Sequence, residues 1–307
     1  MSIIKPDIGV IIVSYNVQEY LCNCIDSLLS QENIIAEIIV VDNNSTDGTK
    51  EVIKGKYPLV KFISNAVNAG FSAANNQGTK ASSGDIIFLL NPDTKLTETN
   101  TLQKVMDYFN SNPETGILAP MLLNADGTLQ PSYWNYPGLK ELFLELFYLH
   151  KNTKTKQPSS SNEVKAVSGA AFAFKKSLAD EVGGLDENLF WMEDTDFCYR
   201  VNKTGRKIIL DPGINIIHYG GKSSEGNYSV TIPNQVMSRL KFSEKYDSGI
   251  VYLFINILTL AFICSRLFAF SIGSLINKTS NLKRKAYQVA LKSYFRFNFK
   301  GENTIIK

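Results

Sequence analysis

Four short, β-branched apolar runs, spaced by helix-length segments, fill the first ninety residues and leave few folds open. They are Ile8–Val13, Ile38–Val41, Val60–Ile63 and Ile86–Leu90. A continuous apolar run of this length reads as a strand buried on both faces. Between the first two, Val17–Ser30 carries Tyr20/Leu21, Ile25 and Leu28/Leu29 at three-to-four spacing, the stripe of a core-facing helix. Thr46–Lys54 begins a second helix, and the small-residue stretch Ala69–Ala81 a third. Strand and helix alternating in this way imply a parallel sheet with helices on its faces and right-handed crossovers. The 307-residue length, with 44% hydrophobic and 20% charged residues, suits one large α/β domain plus an appendage.

After Asp93 the alternation loosens. Leu102–Phe109 predicts a helix, Gly116–Leu123 a strand, and Asn124–Gly127 a turn. The polar Lys151–Glu163 stretch predicts a loop or excursion. Val164–Phe174 reads as a strand, Asp194–Lys203 as a helix, and Lys207–Leu210 and Ile214–Ile217 as two short strands. Cys22, Cys24, Cys198 and Cys264 show neither metal-type spacing nor a disulfide framework, which suits a reducing compartment. The N-terminal residues lack the apolar core of a signal peptide, so the catalytic part is expected in the cytoplasm.

Several positions carry chemistry. Asn91-Pro92-Asp93 follows directly on Ile86–Leu90, and the C-terminal ends of buried strands are where open α/β sheets place ligands. The same tripeptide also reads as a plain turn. Asp42 closes the second strand, where an acid can accept from a nucleobase imide or a ribose hydroxyl; Ser45 or Thr46 beside it can cap the next helix. The run Asn68–Gly78 combines Gly, Ala and Asn so densely that the backbone must approach something closely. That something is an anion at a helix N-terminus or a tightly packed sheet. Glu193-Asp194-Thr195-Asp196 opens a helix, and Asp196 sits four residues before Arg200, a stabilising pair that explains it without catalysis. Asp194, beside the aromatics Phe190 and Trp191, is the preferred general base. His218, one of only two histidines, ends an apolar strand and alone reads as a core residue.

Taken in order, these pieces resemble the inverting nucleotide-sugar glycosyltransferases of the GT-A fold (glycosyltransferase family 2), in particular the bacterial rhamnosyltransferase-like branch. The resemblance rests on Val13–Asn16, Val41–Thr49, Asn68–Phe71, Leu90–Asp93, Ser168–Ala171, Glu193–Asp196 and His218–Gly221, and covers roughly residues 7–245. It implies donor-nucleotide contacts from Ser14, Asn16, Asp42, Asn68, Gly70, Phe71 and Asn75. It implies Asp93 and His218 as ligands of Mg²⁺ or Mn²⁺, and Asp194 as catalytic base. Gly169, Trp191 and Glu193 would meet the acceptor or the sugar. Asn91 stands where many members carry a first Asp, which leaves the metal fewer negative ligands.

Residues 248–307 have a different character. Gly249–Ile276 is nearly all apolar, yet the uninterrupted stretch before Arg266 falls short of the about 20 residues a span needs. From Ile276 onward eight cations face Glu302 alone, a net +7, whereas the preceding chain carries −4. Keeping both the catalytic part and a basic tail on one membrane face favours an in-plane or re-entrant helix over a single crossing. A core helix covering the sheet is the soluble alternative.

The expected architecture is thus a GT-A domain over 1–247 and a membrane-associating segment over 248–307. The expected activity moves a sugar, rhamnose from dTDP-rhamnose by resemblance or else a UDP- or GDP-linked sugar, to a lipid-linked saccharide acceptor at the inner membrane surface. Surface polysaccharide assembly is the expected setting. A nucleotidyltransferase would want a basic glycine-rich loop after the first strand, which Ser14-Tyr15-Asn16 does not offer. A non-catalytic carbohydrate-binding relic is the other alternative, and no nucleic-acid motif accompanies the basic tail.

Overall fold

The computed structural model describes residues 5–147, 158, 160–220 and 227–301. Most of Lys151–Glu163, Gly221 of the His218–Gly221 motif, and the end of the basic tail lie outside the described residues. The elements begin with β1 (Ile8–Ser14), α1 (Gln18–Leu29), β2 (Ala36–Asp42), α2 (Thr49–Lys56), β3 (Lys61–Ser64), α3 (Phe71–Ala81) and β4 (Ile86–Leu90). Then come β5 (Thr94–Leu96), α4 (Thr101–Ser111), β6 (Thr115–Leu123), β7 (Tyr133–Trp134), α5 (Leu139–Leu146), β8 (Asn162–Glu163), β9 (Ala166–Val167) and β10 (Ala171–Lys175). The chain continues through α6 (Lys176–Val182), α7 (Glu193–Lys203), β11 (Lys207–His218), α8 (Tyr228–Tyr246), α9 (Gly249–Gly273) and α10 (Lys278–Lys300).

The main sheet has the order β3-β2-β1-β4-β10-β6-β11-β5, with β8 paired to β11. β3, β2, β1 and β4 are mutually parallel, as the alternation predicts. β10 enters antiparallel between β4 and β6, and β11 runs parallel to β6. Every residue of β4 is buried, so its side chains pack on both faces of the sheet. Leu21, Cys24, Ile25 and Leu28 of α1 form the buried stripe anticipated for that helix. Full burial of one such aliphatic side chain stabilises the fold by about 1.5–3 kcal/mol. In α3, a Cβ on Gly78 would come within 2.3 Å of Ile11 Cγ2, so tight helix-on-sheet packing accounts for that glycine.

Two strand boundaries differ from the sequence reading. Lys207–Leu210 and Ile214–Ile217 belong to one strand, β11, whose register shifts between Asp211 and Asn215. Pro212 has no N–H for the ladder, and the sheet absorbs it as a bulge rather than ending there. Val164–Phe174 is broken instead: β9 pairs with β7 in a separate ribbon, and the chain turns at Ser168–Gly169 before β10 joins the main sheet.

The chain divides into two compact units. One comprises Met1–Asn135, Thr155–Glu187 and Glu193–Ser223, and holds both sheets. The other comprises Tyr136–Lys154, Asn188–Met192 and Ser224–Lys307. Its core is Leu142 of α5, Val236, Met237 and Leu240 of α8, Ile255, Phe262 and Ile263 of α9, and Tyr287 and Tyr294 of α10. α8, which precedes residue 247 in the sequence, thus shares a core with α9 and α10.

Candidate functional site

The sheet itself assembles the site. Parallel pairing sets Ser14 beside Asp42 at the C-terminal ends of β1 and β2. β10 runs antiparallel to β4, with Ala171 opposite Leu90, and the Asn91 N–H donates to the Ala170 carbonyl at 2.8 Å. Asn91–Asp93 and Ser168–Gly169 therefore emerge at the same end of the sheet. β5 starts right after Asp93 and pairs antiparallel with the end of β11, placing Thr94 opposite His218.

Asp93 is 3% exposed, and its Oδ1 lies 3.3 Å from His218 Nε2. Gln130 Nε2 donates to Asn124 Oδ1 at 3.0 Å and to the His218 carbonyl at 3.3 Å, which turns Gln130 Oε1 toward the imidazole. His218 Nδ1 lies 2.6 Å from that Oε1, so Nδ1 carries the proton and donates to it. Nε2 then presents its lone pair to the Asp93 carboxylate and is buried without a hydrogen-bond partner. An acceptor nitrogen and a carboxylate oxygen facing each other at this distance need a cation or a proton between them. The oxygen and nitrogen donors suit Mg²⁺ or Mn²⁺. Among the described residues no group of three or more His, Cys, Asp or Glu side chains gathers to hold a metal. Substrate phosphate and water commonly supply further ligands to a Mg²⁺ ion.

Asp194 sits in the first turn of α7 in a different setting. Gly169 N–H donates to its Oδ2 at 2.8 Å, and Thr195 donates to Oδ1 through its N–H at 2.6 Å and its hydroxyl at 3.2 Å. Trp134 Nε1 donates to Thr195 Oγ1 at 2.9 Å, fixing that hydroxyl. Burial raises the Asp194 carboxyl above the ordinary range, although the Gly169 and Thr195 hydrogen bonds pull the other way. A Cβ on Gly169 would lie 3.1 Å from Asp194 Oδ2, so only glycine lets the two approach freely. Asp196 is fully buried and bonded to Arg200 Nε at 2.8 Å. Arg200 also donates to the Val182 and Gly184 carbonyls, tying α7 to the end of α6. That is the structural role the spacing indicates.

The residues expected around the nucleotide build two interlocked loops. Asp42 is 2% exposed and accepts from Ser45 Oγ at 2.5 Å and Ser45 N–H at 3.0 Å. Asn16, at φ +53°, accepts from Thr46 N–H at 2.8 Å. Asn68 accepts from the Gly70 N–H at 2.9 Å, Gly70 turns through φ +90° into α3 just before Phe71, and Asn75 donates to the Phe71 carbonyl at 3.0 Å. Ser14 and Ser72 hydroxyls are buried without hydrogen-bond partners. Glu193 opens α7. Trp191 is 40% exposed, and Trp191 and Met192 hold φ of +76° and +111°. Consecutive non-glycine residues in this region store strain that clusters at functional sites.

Two contributors carried no usable sequence signal, and a third was legible only within a longer motif. Gln130 follows a turn and shows no pattern. Trp134 stands outside every motif. Asn43, 2% exposed, links the loops by donating to the Gly70 carbonyl at 3.2 Å and accepting from Asn65 Nδ2 at 3.0 Å. It was visible only as part of Val41–Thr49.

A model of the family described as glycosyl transferase family 2 matches residues 9–183. N-acetylglucosaminyl-diphospho-decaprenol L-rhamnosyltransferase of Mycobacterium tuberculosis is 26% identical over 237 residues, 70% of this chain and 76% of that protein. Low-salt glycan biosynthesis hexosyltransferase Agl10 of Haloferax volcanii is 24% identical over 255 residues, covering 80% and 72%. The mannosyltransferase PcManGT of Pyrobaculum calidifontis, solved with GDP-Man and Mn²⁺, superposes with a TM-score of 0.60 at 14% identity, over 97% of this chain and 88% of that one. This likeness identifies the fold, a central mostly parallel sheet flanked by helices as in GT-A proteins.

Proposed function

The chain belongs to glycosyl transferase family 2, and we propose that this glycosyltransferase moves a sugar from a nucleoside diphosphate to a lipid-linked saccharide acceptor at the inner membrane surface, with inversion at the anomeric carbon. The observation that carries the reading is the contrast between two carboxylates at one end of the sheet. Asp93 shares a buried space with an imidazole lone pair, whereas Asp194 is held by N–H and O–H donors.

Asp194 accepts the acceptor hydroxyl's proton as that oxygen attacks the anomeric carbon from the face opposite the leaving group. Burial raises its pKa, which makes it a stronger base than an exposed aspartate. Gly169 and Thr195 hold the carboxylate in one orientation and restrict its rotation. Asp93 Oδ1 and His218 Nε2 are the atoms that would hold Mg²⁺ or Mn²⁺, and Gln130 fixes the imidazole tautomer that exposes Nε2. Such an ion, when bound, supplies Lewis-acid stabilisation of the charge growing on the departing diphosphate. The Asp42 and Asn68–Asn75 loops, with the α3 N-terminus, receive the nucleotide. Glu193 contacts the incoming saccharide. Surface polysaccharide assembly is the setting.

For the donor sugar, rhamnose is favoured because the mycobacterial relative is an L-rhamnosyltransferase, and dTDP is the carrier that the motif resemblance implies. A GDP- or UDP-linked sugar is the second reading, motivated by the GDP-Man in the mannosyltransferase complex. Thermal unfolding of the full chain with dTDP-rhamnose, GDP-mannose and UDP-sugars, each with and without Mn²⁺, separates these. The largest metal-dependent rise in Tm is expected with dTDP-rhamnose. A chain stabilised by no nucleotide sugar would favour the non-catalytic relic.

A further inference from the structure

α9 is apolar on its exposed face as well as on the face that carries the core residues Ile255, Phe262 and Ile263. It runs 25 residues with a mean hydropathy of 2.0 in its most apolar window, long and apolar enough to cross a bilayer. Yet the face it buries carries Asn256, Thr259 and Arg266 at 8%, 1% and 7% exposure. The opposite face presents Ile250 and Phe268, each 71% exposed, with Leu253, Phe254, Ile257 and Ile272 all more than half exposed. These positions recur at three-to-four spacing, so they form one stripe along the helix. Asn256 and Arg266 find partners inside the unit, whereas the Thr259 hydroxyl is buried without a hydrogen-bond partner. Arg266 donates to the Glu145 carbonyl at 2.6 Å and lies 4.8 Å from the Phe262 ring centroid. Asn256 bonds Asn298 at 2.5 Å and also the Tyr294 hydroxyl.

Those bonds decide how α9 can meet a membrane. Asn256 near the start of α9 meets Tyr294 and Asn298 near the end of α10, and Phe270 near the end of α9 stacks on Tyr287 at 5.7 Å. The two helices therefore pack antiparallel over most of their length, and α10 must follow α9 to whatever depth it reaches. α10 cannot go deep. Lys278, Lys285, Lys292 and Arg296 are exposed along it, from first turn to last, and charged side chains at the bilayer centre are heavily penalised. Between these cations α10 exposes Leu282, Phe295 and Phe299, an alternation suited to the headgroup boundary. No Asp or Glu occurs from Ser248 to Gly301, so nothing on the pair repels an anionic surface.

We propose that the α9–α10 pair is a monotopic docking surface for an anionic lipid bilayer, with α9 lying in the plane of the interface and not crossing it. The apolar stripe of α9 enters the acyl boundary, and the lysines and arginine of α10 take the phosphate headgroups. This deepens the membrane part of the proposed function but stands on the helices alone, independent of the transfer chemistry.

Cys264 supplies the probe. It is exposed on α9, whereas Cys24 and Cys198 are buried and Cys22 is half-buried. The full chain, labelled at Cys264 with an environment-sensitive fluorophore, is mixed with vesicles of phosphatidylcholine alone or with phosphatidylglycerol added. Nitroxide lipids labelled near the headgroup or near the bilayer centre then report depth. The expected result is a blue shift on the anionic vesicles and stronger quenching by the shallow nitroxide. Lys285→Gln/Lys292→Gln/Arg296→Gln should weaken binding by about fivefold per cation removed. Leu253→Ser/Phe254→Ser/Ile257→Ser should weaken it on either vesicle.

Stronger quenching by the deep nitroxide would show a crossing helix and overturn the proposal. So would an absence of vesicle binding together with a self-association that the serine variant abolishes, which would assign the stripe to a second copy of the chain. The depth measurement uses the unsubstituted chain, so misfolding of a variant does not blunt it. Nucleoside diphosphate binding, followed in the same samples, shows separately whether the transfer reading stands.

Discussion

Two carboxylates at one end of the same sheet are handled in opposite ways. Asp93 faces a histidine nitrogen whose lone pair is turned toward it by Gln130. Asp194 is surrounded by donors: a backbone N–H from Gly169, and the N–H and hydroxyl of Thr195. In the first arrangement the carboxylate oxygen and the ring nitrogen face each other at 3.3 Å, a spacing that a cation or a proton would bridge. The second is complete without one, and burial alone moves its carboxyl upward. Residue type does not separate the two roles; what surrounds each carboxyl does. Asp93 is thus suited to a cation and Asp194 to a proton.

The largest effect expected of any substitution that sharpens this contrast is on turnover. Asp194→Asn keeps the size of the side chain but cannot take the acceptor's proton, so turnover should fall by about 10²–10⁴-fold. Nucleotide-sugar affinity should hardly move, because the lost interaction belongs to the transition state. Steady-state kinetics beside calorimetric donor binding checks this. Comparable losses in Glu193→Gln or Asp196→Asn, with Asp194→Asn near the parent, would place the base elsewhere.

Next comes Gln130, which touches only the cation side. Gln130→Leu removes the acceptor that fixes His218 Nδ1–H and frees the ring to present its other nitrogen. Mn²⁺ affinity should drop by about 10–100-fold. Calorimetric Mn²⁺ titration with a nucleoside diphosphate present reads it, and an unchanged affinity would detach Gln130 from the metal.

A smaller effect falls on the proton side. The base must be ionised, so kcat/KM should rise with pH through the Asp194 pKa, with its acid limb above the ordinary aspartate value of about 3.9. The folded-state pKa exceeds the unfolded one, so this group's stabilising contribution is present below the unfolded value and lost as pH rises through the folded value. Thr195→Val removes a hydroxyl that favours the ionised form, which should move the limb to still higher pH. It also strips Trp134 Nε1 of its acceptor, costing about 1–3 kcal/mol in urea unfolding. A limb that stays in place in this variant would break the link between the hydroxyl and the carboxylate.

The legibility of these features follows from their range in the chain. The β1–β4 half of the sheet was open to reading because a central parallel strand is a short continuous apolar run, as Ile86–Leu90 shows. The Asp196–Arg200 pair was open too, since its partners lie four residues apart on one helix. Gln130 and His218 are 88 residues apart, and a glutamine near a turn carries no pattern of its own. The bulge in β11 was read as a gap because Pro212-Gly213 usually ends a strand, and only the neighbouring β6 shows that pairing resumes. Gly249–Ile276 was plainly apolar in sequence, but which of its faces is covered depends on α10, whose many lysines and lack of a clean apolar stripe read as a basic tail.

The division of labour between the two carboxylates is tested most directly by counting bound Mn²⁺ in amide variants of each. Electron paramagnetic resonance titrations of the parent, Asp93→Asn and Asp194→Asn, with a nucleoside diphosphate present, report free and bound ion without depending on turnover. Asp93→Asn should weaken Mn²⁺ binding by about tenfold or more, while Asp194→Asn should stay within about twofold of the parent. Equal weakening in both variants, or full binding in Asp93→Asn, would contradict that division.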